Sequence, residues 1–482
     1  MAEISFATPI SELVMAIQAG NVTSHNLVAA SLAKIELASD YHAILEVNPA
    51  ALEQALVMDA RIKAGEKLPL AGIPFIAKDN FLTSNTHTTA SSNILKSFRA
   101  PYQAIAIKRL EAAGAIMVAK ANMDAFGHGA STENSDFAVT KNPFDEERVA
   151  GGSSGGSAVA VALDLAPFAL GTDTGGSSRQ PASFAGVTGF KPTYGLIPRT
   201  GVVAMASSTD TIGILSHSTS DTALVLDVLA GIDPSDSTSI ERDPKPYALS
   251  DKVRKLTSTR FGLVKEYLEA GVDPEVKKVI LAAVDQIKAN GGEVHEISLP
   301  ATKLALAAYY ILVPGEISSN LARYDGVRYG HSSTGATNLE ETYLLSRNEG
   351  FGDEAKRRIL IGTYVLSSGY YDAYYKRAQK VRTQLIGEFN DAFKKFDVLI
   401  GPTTPTTAFR VGEKAHDPVA MYLADIMTVA ANLVGIPAIS IPVAMASGLP
   451  VGLQLMTAQN KERELLSIAS GVECVIGAWK SR

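Results

Sequence analysis

The sequence has one cysteine, no long apolar run and no excess of positive charge, and each shortage excludes a class of protein. The single cysteine, Cys474, cannot form a disulfide within the chain, which fits a reducing compartment. No stretch approaches the run of about 18 apolar residues that a membrane-spanning helix needs. The N-terminal residues lack the basic region, apolar segment and cleavage site of a signal peptide. We therefore expect a soluble, cytoplasmic protein that makes no membrane contact.

The charge balance argues against a protein that binds nucleic acid by itself. The 44 lysines and arginines are outnumbered by 50 aspartates and glutamates, which gives a net charge of −6. A protein that wraps nucleic acid needs an excess of basic residues to neutralise phosphates. If RNA takes part in the function, we expect a partner to hold most of it.

Metal-binding patterns are missing as well. The 8 histidines show no paired spacing, and the single cysteine cannot form a Cys-x-x-Cys pair. Zinc sites are usually built from such pairs at short spacing. The sequence therefore predicts no catalytic metal.

Strands that alternate with helices predict an α/β protein whose central mixed β-sheet is covered by helices on both faces. Residues 9–66 are predicted to be helical, with Ser24 as the cap of the second helix. Strands are predicted at 68–77, 115–119, 260–264, 293–297, 397–401, 438–442 and 451–456. Helices are predicted at 102–113, 219–231, 274–290, 304–384, 425–433 and 462–479. Residues 186–213 are predicted to be loop-rich, and 233–251 to be an exposed linker.

The stretch from Ala150 to Arg179 contains two glycine–serine clusters, Gly151–Ser157 and Gly175–Ser178. Glycine-rich turns let the backbone approach a ligand and point successive N–H groups at it. Serines in such turns are candidates for nucleophiles or hydroxyl relays, and the adjacent N–H groups for oxyanion donors. An apolar segment, which polar linkers lack, joins the clusters. We interpret the two clusters as parts of one site.

Three short motifs resemble other sites but lack an essential part. The spacing of Gly151 and Gly156 is that of a phosphate-binding loop, but Ser157 stands in place of its lysine. Gly152–Gly156 fits the G-x-S-x-G motif without the strand that precedes that turn in serine hydrolases. Ser31–Lys34 fits S-x-x-K without its companion motifs. We interpret all three as chance matches.

No histidine is obviously placed as the base for a serine nucleophile, which leaves lysine as a candidate. Burial and neighbouring donors can lower the pKa of a lysine from about 10.4 toward neutrality. Lys78 ends the apolar strand predicted at 68–77, where a lysine is unusual unless it is solvated or used. Because a lysine amine acts at short range, one serine could relay the proton and another could be the nucleophile.

Together, Lys78, Gly151–Ser157 and Gly171–Arg179 resemble the amidase signature family. Their order and spacing match this family at three points, whereas each chance motif matches at one. The resemblance implies the amidase signature fold, with Ser177 as the nucleophile that forms an acyl ester. It also implies Ser153 as a bridging serine on a cis peptide bond, and Lys78 as the terminal base.

The resemblance further implies support around the nucleophile. Four backbone N–H groups would form the oxyanion hole, those of Thr174, Gly175, Gly176 and Ser177. Asp173 and Arg179 would support the loop that carries them.

Within this family the sequence is similar to the glutaminase components of tRNA-dependent amidotransferases. The similarity is carried by Lys191–Gly195, Ala206–Asp210, Ser318–Gly330, Lys356–Tyr364 and Ser368–Tyr375. Small departures are Thr209 and Thr211, where leucine and glutamine are expected, and the loop 196–198. The resemblance implies that the chain hydrolyses glutamine and supplies ammonia for the conversion of Glu-tRNA(Gln) into Gln-tRNA(Gln). Whether such a complex serves tRNA(Gln), tRNA(Asn) or both is left open by the sequence.

Free glutamine carries an α-carboxylate and an α-ammonium group, so its pocket needs one cation and one anion. The resemblance implies Arg358 and Asp425 in these roles, with Tyr309 lining the pocket and Arg357 as an alternative to Arg358. It implies two amidotransferase partners: a B subunit that binds ATP, Mg²⁺ and the mischarged tRNA, and a small C subunit that contacts both other components. No cofactor is expected in this chain itself.

On this interpretation the whole chain, residues 1–482, is one amidase domain in four parts. They are an N-terminal helical part (1–66), a catalytic core with the Lys-Ser-Ser triad (67–231), an exposed linker (232–252) and a remainder (253–482) with a helical insertion at 304–384 and the glutamine pocket. Two alternatives stay open, a stand-alone amidase for another amide and a non-catalytic assembly component. The amidotransferase-like segment 318–375 argues against the first, and the intact triad argues against the second.

Overall fold

A mixed sheet of eleven strands crosses the part of the chain that the computed structural model describes, residues 4–249, 255–269 and 271–477. The strands are β1 (Ile44–Val47), β2 (Pro74–Lys78), β3 (Ile116–Ala121), β4 (Phe168–Asp173), β5 (Thr188–Lys191), β6 (Thr211–Ser216), β7 (Arg260–Val264), β8 (Glu293–Ile297), β9 (Val398–Pro402), β10 (Ala438–Ala446) and β11 (Leu449–Met456). Their order is β1-β3-β2-β4-β6-β5-β10-β11-β9-β7-β8. Strands β3, β2 and β4 are parallel, as are β9, β7 and β8, and the other pairings are antiparallel.

Fifteen α-helices lie in the described ranges. They are α1 (Ile10–Gln18), α2 (Ser24–Leu37), α3 (Ala51–Lys63), α4 (Ile105–Ala112), α5 (Gly155–Ala162), α6 (Arg179–Ala185), α7 (Thr219–Leu229), α8 (Pro274–Ala289), α9 (Thr302–Asn320), α10 (Leu339–Gly350), α11 (Asp353–Leu366), α12 (Lys376–Phe393), α13 (Pro418–Tyr422), α14 (Val429–Val434) and α15 (Glu462–Ile476). Each of them is too short or too polar to cross a bilayer.

Helices cover both faces of the sheet, because successive side chains of a strand point to opposite faces. In β2, Phe75 packs on one face with residues of α1, α4 and α7. Its neighbour Ile76 packs on the other face with residues of α2, α3 and α5. Phe75 also stacks on Phe168 of β4, with ring centroids 5.4 Å apart. The expected α/β fold with a mixed sheet between two helical layers is confirmed.

The unit β7–α8–β8 matches the sequence prediction almost residue for residue. Asp273 caps α8 by accepting the Glu275 N–H at 2.8 Å, and Pro274 occupies the first turn, where its missing N–H costs nothing. The two strands pair in parallel along their whole length. Capping residues and helical spacing in the sequence were sufficient to predict this unit.

The N-terminal prediction was wrong in two details. Residues 9–66 are not all helical, because β1 lies between α2 and α3 and pairs antiparallel with β3. Four residues give little local signal, and their pairing partner is about seventy residues away in the sequence. The cap of α2 is Thr23, which accepts the Asn26 N–H at 3.0 Å, whereas Ser24 is the first helical residue.

Two passages predicted to be loops are more ordered than expected. The passage 186–213 contains β5 and the first residues of β6. The described part of the predicted linker, 232–249, contains no helix or strand, but Tyr247 is buried. The Asp227 carboxylate on α7 accepts the N–H groups of Tyr247 and Ala248, both at 2.7 Å. Residues 250–252 lie outside the described ranges.

The helical segment 304–384 consists of α9 to α12 with a π-helical turn at Tyr371–Tyr375. A Cβ at Gly362 would lie 1.9 Å from the Pro314 carbonyl oxygen, so glycine is needed where α11 packs on α9. This close packing holds α11 against α9, and Arg358 of α11 lies over the ring of Tyr310 on α9. The predicted closing helix at 462–479 is α15, and residues 478 and 479 lie outside the described part of the chain.

Candidate active site

Lys78 lies at the C-terminal end of β2 with its side chain fully buried. Its Nζ donates to the Ser153 Oγ at 2.8 Å, the Ser154 Oγ at 2.9 Å and the Thr172 Oγ1 at 3.0 Å. Because β2 and β4 are adjacent parallel strands, their C-terminal ends bring Lys78 and Thr172 together. An amine in this position contacts hydroxyl groups rather than water.

Burial lowers the pKa of the Lys78 ammonium group to about 7. Three nearby carboxylates oppose part of this shift, those of Asp124, Asp173 and Asp210. A pKa near neutrality leaves a large fraction of the amine uncharged under physiological conditions. Lys78 can therefore accept a proton, as the sequence argument for a lysine base requires.

Ser153 and Ser154 differ in what their hydroxyl groups contact. The Gly152–Ser153 peptide bond is cis, as the family resemblance implies. The Ser154 Oγ donates to the Thr172 carbonyl oxygen at 3.1 Å, so its proton is already engaged. The Ser153 Oγ accepts from Lys78 and has no second hydrogen-bond partner among the described residues. Of the two hydroxyl groups, that of Ser153 can pass a proton to Lys78.

Ser177 lies in the short loop between β4 and α6. Its carbonyl oxygen accepts the Ser154 N–H at 3.1 Å, which holds the two glycine–serine clusters together. Ser177 is 9% exposed, whereas Lys78 and Ser153 are at most 1% exposed. Among the three, Ser177 is the one that a molecule entering from solvent would meet first.

Asp173 and Arg179 form a fully buried ion pair at the two ends of this loop. The Arg179 Nε and Nη2 donate to the two Asp173 oxygens at 3.1 and 2.9 Å. Burial alone would raise the pKa of Asp173, but the charge and hydrogen bonds of Arg179 hold it well below its ordinary value. The Asp173 carboxylate also accepts the N–H groups of Gly176 and Ser178, at 2.9 and 3.1 Å. The backbone is thus fixed on both sides of Ser177.

This arrangement changes the expected set of oxyanion donors. The Gly176 N–H donates to the Asp173 carboxylate, so it is not available to a substrate oxygen. The other three N–H groups have no acceptor among the described residues, and they belong to Thr174, Gly175 and Ser177. Three of the four expected donors are therefore available in this structure. Spacing along the chain does not reveal which N–H group donates to a neighbouring carboxylate.

A second cluster of charged side chains lies around a cavity of about 150 Å³. Arg358 on α11 lines this cavity, and Asp425 before α14 contacts Tyr310 of the cavity lining; both are buried, at 3% and 7% exposure. The Arg358 guanidinium lies 5.3 Å from the ring centre of Tyr310 and 5.6 Å from that of Tyr422. The Tyr310 hydroxyl donates to Asp425 at 3.3 Å. One buried cation and one buried anion are present, as recognition of a free amino acid requires.

Arg358, rather than Arg357, has the buried guanidinium. The Arg357 side chain is 43% exposed and that of Arg358 is 3% exposed, although both border the cavity. Neighbouring residues of a helix point about 100° apart, so only one of the two can face inward.

Burial raises the pKa of Asp425 to about 7, although the Arg358 charge and the Tyr310 hydrogen bond lower it. The other carboxylates of the region, Asp173 and Asp124, raise it further. Near neutral pH this carboxyl group therefore titrates, and its charge depends on a nearby cation.

Tyr309 lies against the Ser177 loop. A Cβ at Gly175 would lie 2.6 Å from the Tyr309 hydroxyl oxygen, so the ring lies directly against this loop. Tyr309 packs edge-on against Tyr310, with ring centroids 5.1 Å apart.

Three residues at this site, Tyr310, Tyr422 and Glu354, were not predicted from the sequence. Only Glu354 leaves a sequence signal, a glutamate four residues before Arg358 on one helix.

The described residues contain no group of three or more His, Cys, Asp or Glu side chains that could hold a metal ion. The candidate nucleophile, hydroxyl relay and base are all side chains of this protein. The Ser177 carbonyl contacts the residue that follows Ser153, and a loop serine close to a serine–lysine pair is typical of enzymes that form an acyl ester, a class of hydrolases and transferases.

The chain belongs to the Amidase family, whose model matches residues 26–466. It is 52% identical over 423 residues to the A component of glutamyl-tRNA(Gln) amidotransferase from Caldanaerobacter subterraneus subsp. tengcongensis, covering 88% of this chain and 86% of that protein. It is 49% identical over 473 residues to the protein of the same name from Geobacillus thermodenitrificans, covering 97% of both. The crystal structure of the corresponding glutamyl-tRNA(Gln) amidotransferase component from Thermotoga maritima matches with a TM-score of 0.81 at 35% identity, over 98% of this chain and 96% of that one.

Proposed function

We propose that this chain is the glutaminase component of a tRNA-dependent amidotransferase. It hydrolyses the side-chain amide of glutamine and delivers the ammonia to a partner protein, which uses it to amidate a mischarged tRNA. Support comes from relatives of that name that match over most of their length, and from a site that combines a serine–lysine pair with a buried arginine and a buried aspartate.

In the first step Ser177 attacks the amide carbon of glutamine. Its Oγ passes a proton to Ser153, which passes its own proton to the neutral Lys78 amine at 2.8 Å. The C–N bond then breaks, the departing nitrogen takes the proton back from this relay, and ammonia leaves. A water molecule attacks the glutamyl ester by the same route, which releases glutamate and restores Ser177.

Negative charge develops on the amide oxygen in both steps. The N–H groups of Thr174, Gly175 and Ser177 are in position to receive it, since none of them has another acceptor among the described residues. A preorganised donor of this kind is typically worth about 10²–10³ in rate. The Asp173–Arg179 pair keeps these donors in place at no cost during the reaction.

The observation that carries the proposal is a continuous contact from the Ser177 loop to the charged cavity. Tyr309 lies against Gly175, Tyr310 packs on Tyr309, and Asp425 accepts the Tyr310 hydroxyl. A substrate with its amide at Ser177 and its ammonium and carboxylate at Asp425 and Arg358 has the chemistry of glutamine. An amidase for a neutral amide has no need of this second charged end.

The partners follow from the same reaction. Ammonia from this site can be used only if another protein activates the carboxyl group of the aminoacyl-tRNA. This activation requires ATP and Mg²⁺, which the partner B subunit would bind. A small C subunit completes the expected heterotrimer. The net charge of −6 agrees with a complex in which the partner, rather than this chain, binds the RNA.

Ammonia release from glutamine tests the assignment. We expect slow release by the purified chain, and strong stimulation when B and C subunits, ATP and Glu-tRNA(Gln) are added. Equal release with and without these partners, especially from other amides, would identify a free-standing amidase instead. Assembly without any release would identify a non-catalytic component.

Replacing Asp425 with asparagine is expected to raise the KM for glutamine about tenfold or more, because the substrate ammonium loses a charged partner. The kcat should change much less, since Asp425 contacts no reacting atom. Glutaramate, which lacks the ammonium group, provides the control because its KM should hardly change. An unchanged KM for glutamine in Asp425→Asn would remove this carboxylate from the pocket.

A further inference from the structure

Two adjacent arginines border the charged cavity, and one carboxylate contacts both of them. The Glu354 Oε1 accepts the Arg358 Nε–H at 2.8 Å, and the other oxygen of Glu354 pairs with Arg357. We propose that Glu354 is a positioning residue that fixes Arg358 for recognition of the substrate α-carboxylate. The proposal rests on the glutaminase function proposed above and adds to it the residue that sets selectivity for a substrate carboxylate.

The nitrogen of Arg358 that donates to Glu354 decides which edge of the guanidinium can bind the substrate carboxylate. A guanidinium group has two edges that can hold a carboxylate by two parallel hydrogen bonds. Glu354 takes the Nε–H, so the edge that includes Nε is closed to a second carboxylate. The end formed by Nη1 and Nη2 stays available, and this fixes the direction from which the substrate carboxylate can bind.

Aromatic rings complete the fixation of Arg358. The Tyr422 ring stacks on that of Tyr310 at 3.8 Å, and both lie within 5.6 Å of the Arg358 guanidinium carbon. The Tyr422 hydroxyl donates to the Glu354 Oε1 at 3.2 Å. Glu354 thus connects α11 to α13, the short helix that borders the cavity, and the arginine is restrained by the carboxylate and by the two rings.

Glu354 also keeps the neighbouring arginine away from the substrate. The Arg357 guanidinium is paired with Glu354 while its side chain stays 43% exposed. Without Glu354, both arginine side chains at the cavity would lose the carboxylate that holds them. A long flexible side chain loses rotamer freedom when it binds, so an arginine that is already held binds a carboxylate better than a free one.

A pair of substrates separates this role from a general effect on the fold. Glutamine carries the α-carboxylate, and 4-aminobutanamide keeps the amide and the ammonium group but lacks the carboxylate. We measure kcat and KM for both by ammonia release from the full chain. Replacing Glu354 with alanine should raise the KM for glutamine about tenfold and leave kcat within a factor of about two. The KM for 4-aminobutanamide should stay unchanged, so the selectivity for the carboxylate falls about tenfold.

Two further variants complete the design. Glu354→Gln keeps an oxygen that can accept from Nε, so its selectivity should lie between those of the wild type and Glu354→Ala. Asp353→Asn changes the exposed acidic neighbour in the first turn of the same helix and should behave as the wild type.

The outcomes are distinct. Equal losses for both substrates in Glu354→Gln and Glu354→Ala would mean that Glu354 only stabilises the fold, and an unchanged or lower KM for glutamine would overturn the positioning role. A wild-type chain that releases ammonia from neither substrate, even with its partners, would instead refute the proposed function.

Discussion

Replacing Ser177 with alanine is expected to reduce ammonia release from glutamine by at least about 10⁴-fold, because the acyl ester can no longer form. The variant should still fold and assemble with its partners, since the Ser177 side chain makes no hydrogen bond to another described residue. The Ser177 carbonyl, which accepts the Ser154 N–H, is kept in the alanine variant.

The measurement is the rate of ammonia release under saturating glutamine, with copurification of the partner proteins as the check on assembly. Ser178→Ala is the matched control, since Ser178 is the next residue of the loop and its buried hydroxyl has no hydrogen-bond partner among the described residues. Its activity should stay within a few-fold of the wild type. Residual activity of a tenth or more in Ser177→Ala would mean that another group is the nucleophile.

Replacing Lys78 with methionine is expected to lower kcat about 10³-fold, within the usual range for the loss of a general base. Methionine keeps the length and the apolar stem of the lysine in a fully buried position. Lys78→Arg should be equally inactive, because a guanidinium group stays protonated at every accessible pH. A Lys78→Met variant with more than a tenth of wild-type activity would exclude this amine as the base.

The pH dependence of the wild type gives the same test without a mutation. Lys78 must be neutral to accept a proton, and its pKa is about 7. The protonated fraction falls as pH rises, so kcat should increase about tenfold per unit below pH 7 and level off above it. Asp425 also titrates near 7, but it should affect KM, which falls as the carboxylate ionises. Asp425→Asn should therefore keep the pH profile of kcat.

Much of the sheet could be predicted because its signals are local. The unit β7–α8–β8 is marked by apolar runs and by an Asp-Pro helix start. β1 could not be predicted in the same way, because four residues of no strong pattern become a strand only through their pairing with β3. For β5, a four-residue strand in a loop-rich passage, the pairing with β10 likewise joins distant parts of the sequence.

The candidate site shows a similar division. Lys78, Ser153 and Ser177 are marked by motifs, and the structure places the Lys78 amine on the Ser153 hydroxyl. Their catalytic roles stay predictions. No motif shows that the Gly176 N–H is taken by Asp173, or that Tyr310 rather than Tyr309 contacts Asp425. These depend on how loops and helices from distant parts of the chain meet.

The contacts of Arg179 have a consequence for the order in which the protein becomes active during synthesis. Its guanidinium donates to the Thr428 carbonyl, Asn432 and Gln454, which all lie in the last sixty residues. A growing chain carries the serine and lysine side chains of the candidate triad long before it contains these anchors. Unfinished chains would therefore hydrolyse little glutamine, because the Ser177 loop gains the support of these three anchors only when translation is almost complete.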